Sequence, residues 1–151
     1  MTITRAQCEQ ELVRRAKKKM LAVDMSVVVD GTNDDLSGPL AFAARVVGLT
    51  LASPITVTTA ELANLSDDDI DELLDRAELR LFENIEGNID TVDIKLGPHW
   101  EAKNQLAEQL QKKIISLRAA VSSKYGDDTG TLTAGSLLLD FASKHDDTVS
   151  S

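Results

Sequence analysis

Between Ser66 and Asn88 the apolar residues Ile70, Leu73, Leu74, Ala77, Leu81 and Ile85 recur three or four positions apart. That spacing gathers all six on one stripe of an α-helix, whereas a strand would scatter them over both faces. Asp71, Glu72, Asp75, Glu78 and Glu86 fall on the opposite side. Ser66 is a good N-cap, and Asp67, Asp68 and Asp69 fill the first turn, where carboxylates meet the positive end of the helix dipole. Gly87-Asn88 is placed to end the helix. A helix with one wide apolar stripe cannot stay folded in isolation, so the remaining chain must supply its partners.

Three more segments have helical character. Thr4 with Gln7 reads as a capping box; the helix it opens has its apolar positions Ile3, Leu12, Ala16, Met20 and Val23 at helical spacing. A second helix begins near Asp34 or at Pro39, runs through Leu40, Ala43, Ala44 and Val47, and stops at Gly48. After the Gly97-Pro98 turn, a long helix spans about His99 to Lys124, with Trp100, Leu106, Leu110, Ile114, Leu117 and Val121 as its stripe, and Tyr125-Gly126 closes it. Between these, Thr58 with Glu61 caps a short turn over Ala60 to Asn64. The β-branched run Met25 to Val29 is open between a short strand and a buried extended segment, and Asp30 to Asn33 reads as a turn. Ile89 to Leu96 allows a short extended piece.

Aromatic residues make up only 3% of the 151, so the core must be built from Leu, Ile, Val and Ala. A chain of this length buries about two thirds of its unfolded surface and supports one core. The expected fold is therefore all-α: a bundle of about four helices over residues 1–125, followed by an extended C-terminal arm over residues 126–151. The arm is rich in Gly, Ser, Thr and Asp, yet it contains Leu137, Leu138, Leu139 and Phe141. Those four either fold back on the core or dock on a partner as an added strand or short helix.

The net charge is −9, and it is distributed in blocks. Residues 1–19 hold six basic and two acidic side chains, and residues 24–93 hold three basic and sixteen acidic. Residues 95–124 return to six basic and two acidic, and residues 125–151 hold one basic and five acidic. An acidic total argues against a free-standing nucleic-acid binder, which needs clustered Lys and Arg against phosphates. The basic cluster Arg14, Arg15, Lys17, Lys18 and Lys19 has no interleaved aromatic and no helix-turn-helix pattern around it. Basic and acidic blocks side by side suit either packing of one helix on another or self-association through complementary faces.

The residue types needed for chemistry are scattered. Asp67 to Asp71 lacks the spacing, central Gly and closing Glu of a calcium loop, and is explained as a helix start. His99 and His145 stand apart with no Cys or second His nearby, so no zinc site is expected. Cys8, the only cysteine, has no His within sequence reach and forms no internal disulfide. Gly-rich phosphate loops and serine elbows are missing. The expectation is a protein without catalytic residues, metal or cofactor. No stretch approaches a membrane span, and Met1 to Arg5 lacks a signal-peptide pattern, so a cytoplasmic origin is expected.

The stretches Leu73-Leu74-Asp75-Arg76-Ala77-Glu78-Leu79-Arg80, Glu83-Asn84-Ile85-Glu86-Gly87-Asn88 and Val92-Asp93-Ile94-Lys95-Leu96-Gly97-Pro98 carry a resemblance. Over Ala60 to Tyr125 the chain resembles the head-to-tail adaptor (head completion, connector) proteins of tailed bacteriophages. The resemblance implies a virion neck protein, assembled in the host cytoplasm as a ring of about twelve copies. Such a ring docks beneath the portal protein, extends the DNA channel and seats the next neck or tail protein, with DNA only passing through and no membrane contact. In that setting Arg14, Arg15, Lys17, Lys18 and Lys19 would form an inter-subunit face. Asp71, Glu72, Asp75 and Glu78 would face the channel, and Leu137, Leu138, Leu139 and Phe141 would hold a partner. The alternative is a non-viral helical protein-binding or regulatory bundle without catalytic activity.

Overall fold

A computed structural model describes residues 2–89 and 100–126, with the side chains of residues 100–102 left out. Five helices follow one another: α1 (Arg5–Ala22), α2 (Asp34–Val46), α3 (Thr59–Leu62), α4 (Asp67–Asn88) and α5 (Trp100–Tyr125). The fold is all-α, as expected, with the short capped turn after Thr58 counted as a helix of its own. The arm beyond Gly126, including Leu137, Leu138, Leu139 and Phe141, lies outside the described residues, as do His99 and nearly all of the 89–96 segment.

α4 is the axis. It packs against α1, α2 and α5, and every member of its apolar stripe is buried, Leu73, Ala77, Leu81 and Ile85 completely. α1 contributes Cys8, Leu12, Ala16 and Met20, α2 contributes Leu36, Leu40, Ala43 and Ala44, and α5 contributes Leu106, Leu110, Ile114 and Val121. Leu dominates, and each fully buried Leu is worth about 1.5–3 kcal/mol relative to exposure. Arg80 stacks its guanidinium 4.6 Å from the centre of the Phe42 ring, adding a polar clasp between α4 and α2.

The helix ends obey local rules. Both capping boxes form, Thr4 with Gln7 and Thr58 with Glu61, and Ser66 Oγ accepts from the Asp69 amide at 3.2 Å. α2 starts at Asp34, with Asn33 as its cap, rather than at Pro39. Pro39 sits inside the helix and is fully buried; its ring removes the backbone donor that would serve the Asp35 carbonyl, while the Asp35 amide is held by the Asn33 side chain. α2 ends in a Schellman motif: Gly48 adopts φ +104°, and the amides of Gly48 and Leu49 donate to Arg45 and Ala44. α1 ends the same way with Asp24 at φ 61°, the amides of Asp24 and Met25 donating to Leu21 and Met20.

Residues 25–29 form no sheet. From Met25, whose amide reaches Met20, to Gly31, whose amide reaches Glu9 and whose Cα faces Ala6, the chain runs back along α1. Fourteen residues of helix rise about 21 Å, and the six steps from Met25 to Gly31 can span about 20 Å only when nearly straight. The segment is extended but not buried as the second sequence reading had it: Met25 is buried and Val27 half-buried, while Ser26, Val28 and Val29 are exposed.

Candidate interaction surface

The two charged groups singled out in the sequence meet each other. Arg15, on the second half of α1, points between α4 and its own helix. Its guanidinium lies 3.0 Å from Asp75 Oδ1, 3.0 Å from Glu78 Oε1 and 2.8 Å from Glu11 Oε1. Burial opposes the charge on Arg15, but the three carboxylates outweigh it and raise its pKa. On the far side of Asp75 the Tyr125 hydroxyl donates at 2.7 Å and Lys124 lies at 3.5 Å. Burial of Asp75 is outweighed by the Tyr125 hydrogen bond and by Arg15, so its carboxyl titrates below the usual range. Tyr125 is pushed up to about 12 by burial and by donating to Asp75.

The other named charges divide. Glu78 is buried and also approached by Lys113 at 4.0 Å. Glu72 is half-buried and holds Arg76 at 2.8 Å, while Asp71 is exposed. Arg14 pairs with Glu11, whose carboxyl the Arg14 hydrogen bond, with that of Arg15, brings down to about 2 against the effect of burial. Lys19 donates to Gln109 at 2.7 Å, and Lys17 and Lys18 are exposed. Of the expected basic face and the expected acidic face, Arg15, Asp75 and Glu78 therefore serve as contacts between α1, α4 and α5 within one chain. They do so because α1 lies on α4 with its basic end against the acids that follow the apolar stripe.

A second polar cluster escaped the sequence reading. Glu9 is fully buried on α1, and Arg5 one turn earlier is 8% exposed. Their ion pair spans 3.0 Å. Glu9 also accepts from the amides of Gly31 (2.7 Å) and Asn33 (3.1 Å). Arg5 donates to Ser37 Oγ (2.6 Å), the Asn33 carbonyl (3.0 Å) and Thr56 Oγ1, and its own amide reaches Thr59 Oγ1 at 3.0 Å. The Asn33 side-chain amide donates to the carbonyls of Ser26 and Val28 at 2.8 and 2.7 Å. Among the described residues no buried side-chain nitrogen or oxygen is left unpaired. The only sequence signal was the i, i+4 spacing of Arg5 and Glu9, which on most helices marks a solvated pair.

Two surface features remain. An open groove of about 440 Å³ lies between the start of α2 and the end of α4, lined by Met25, Asp34, Asp35, Gly38, Glu83 and Gly87. The second is apolar exposure: Leu21 at the end of α1, Val28 and Val29 on the extended segment, Ile55 between α2 and α3, and Ile115 on α5 at 65%. Among the described residues no three His, Cys, Asp or Glu side chains are grouped to hold a metal, and no helix is long and apolar enough to cross a membrane. Cys8 is buried, and burial, helped by the neighbouring Glu9, pushes its thiol up to about 11. Compared with protein families, curated proteins and solved structures, the chain finds no match.

Proposed function

We propose that the chain is a structural assembly protein, a head-to-tail adaptor that forms a ring beneath a portal and seats the next neck or tail protein. The observation that supports this most is the form of α5. Its 26 residues extend about 39 Å, and only one face, Leu106, Leu110, Ile114 and Val121, is used by the core. The outer face carries Ile115 at 65% exposure, and the apolar arm residues follow in the sequence. A long helix with one free face suits a wall element between neighbouring copies. The motif resemblance over Ala60 to Tyr125 points the same way.

A second reading, a helical protein-binding module that forms no ring, has its own support. Arg15, Asp75 and Glu78 are satisfied within the chain, which leaves Lys17 and Lys18 as the open part of the basic cluster. Light scattering and electron microscopy of the purified protein, alone and mixed with portal protein, separate the two. Rings, alone or on portal, support the adaptor; a monomer that ignores portal removes it in favour of the second reading.

A further inference from the structure

The contacts of Arg15 and Lys19 fix how α1 lies. Arg15 and Lys113 both reach Glu78, at 3.0 and 4.0 Å, while Lys19, one turn on, reaches Gln109, one turn back along α5. α1 therefore runs antiparallel to α5. α5 in turn runs antiparallel to α4, since Asp75 meets Tyr125 and Glu83 meets Arg118, so α1 and α4 point the same way. With its inner side used by the core and by α4, α1 leaves Gln10, Arg14, Lys17, Lys18 and Leu21 exposed. Their spacing puts all five on one outer face. Arg14 shares Glu11 with Arg15; Lys17 and Lys18 pair with no described side chain. Leu21, 49% exposed, ends the row.

The complement lies at the other end of α4. Asp67, Asp68 and Asp71 are exposed, and no described side chain pairs with them. The helix start offers about half a positive charge, which three carboxylates exceed several-fold. Along the helices Asp68 lies about 10 Å before Asp75, and Lys18 about 4.5 Å beyond Arg15. The Arg15–Asp75 contact therefore sits between the two patches, and they do not meet within one chain.

We infer that the outer face of α1 docks on the start of α4 in a second copy of this chain. Each copy carries both halves of the contact, and the halves match in sign and in spacing. Arg14 and Lys18 are four residues apart, as are Asp67 and Asp71, so both pairs present their charges one helical turn apart. Nucleic acid is a poorer occupant of the basic face. The chain carries a net charge of −9, and the outer face of α1 has three cations and no aromatic to stack a base. The contact deepens the assembly reading by naming the surfaces that meet, and it rests on that reading's self-association.

Light scattering and sedimentation of the full-length protein test this. Exposed ion pairs are individually weak and screened by salt. Wild type should therefore self-associate at about 50 mM salt and lose at least about tenfold in affinity at about 500 mM. K17E/K18E and D68K/D71K should each stay monomeric, and mixing them should restore association, because one retains the acidic half and the other the basic half. Rescue on mixing also shows that both variants are folded, and the fourfold variant carrying all these changes should associate by itself. A monomeric wild type at low salt, unchanged association of either variant, or no rescue on mixing overturns the proposal. Wild type that stays monomeric but binds a short DNA duplex, which K17E/K18E does not, overturns it in favour of nucleic acid. Rings formed alike by wild type and both variants overturn this contact and leave the adaptor standing. Salt-sensitive association with rescue, but without docking on portal, supports the contact and removes the adaptor.

Discussion

The Tyr125 hydroxyl donates to Asp75 Oδ2 at 2.7 Å, fixing the last turn of α5 to the outer side of α4 across fifty residues of sequence. Arg76 closes the same corner, its guanidinium 5.8 Å from the Tyr125 ring centre and its Nη2 donating to the Gly126 carbonyl at 3.2 Å. Packing that far along a helix of 26 residues needs an anchor at its end, and this pair supplies one.

Tyr125 is the only tyrosine in the chain, so its ionisation can be followed directly by ultraviolet absorbance. The midpoint should lie at about 12 and fall toward the ordinary value of about 10 in Asp75→Asn. A folded pKa above the unfolded one means that this stabilisation is complete below pH about 10 and disappears as the pH rises through about 12. Asp75 works in the opposite direction. Its lowered pKa stabilises the fold above the ordinary carboxylate range and is lost as the pH falls below it, so Asp75→Asn should flatten the acid limb of the stability profile.

Arg5→Met should be among the most damaging substitutions outside the apolar core. It leaves the fully buried Glu9 carboxylate without its counter-ion, a loss of about 3–5 kcal/mol by the behaviour of other buried pairs. Urea unfolding measures it. The double variant Arg5→Met with Glu9→Gln should recover part of the loss, because the uncompensated charge is gone.

Cys8 should resist thiol reagents at pH 8 in the folded protein and react fully in denaturant. Its side chain is buried, and the thiol's pKa of about 11 leaves little thiolate at that pH. Since Cys8 packs among Leu12 and the rest of the core, its labelling rate should follow global unfolding and slow when the core is stabilised.

Asp24 is the one non-glycine residue with positive φ among the described residues, at 61°. Asp24→Val should lower stability by about 1–2 kcal/mol, since a β-branched side chain fits the left-handed region badly. Asp24→Gly, free of that backbone penalty, should be more stable than Asp24→Val. Thermal unfolding of the two variants gives the ranking.

The helices were readable because each carries its own local signals. The Ile70 to Ile85 stripe, the caps at Thr4, Thr58 and Ser66, and the stop at Gly48 all act within a few residues. The start of α2 stayed open between Asp34 and Pro39, because a buried interior proline is a tertiary matter: nothing local shows that packing would keep it there. The charges illustrate the limit most clearly. Arg15 and Asp75 were both noticed, but sixty positions separate them, and only the placement of α1 on α4 turns two surfaces into one contact. Glu9 was missed for the same reason. A glutamate in a basic helix looks like solvated surface until the chain beyond Val23 doubles back and lays its amides over it.

That doubling back has a kinetic consequence. The connection from α1 to α2 and the end of the α2 to α3 connection have almost no secondary structure of their own, yet both close on the Arg5–Glu9 pair. Neither can lift away without taking hydrogen bonds from that buried pair. Their openings should therefore be correlated, one cooperative unit rather than two independently fraying loops, with the N-terminal turn of α1 as its hinge. A single ion pair makes two irregular stretches of chain share one breathing motion.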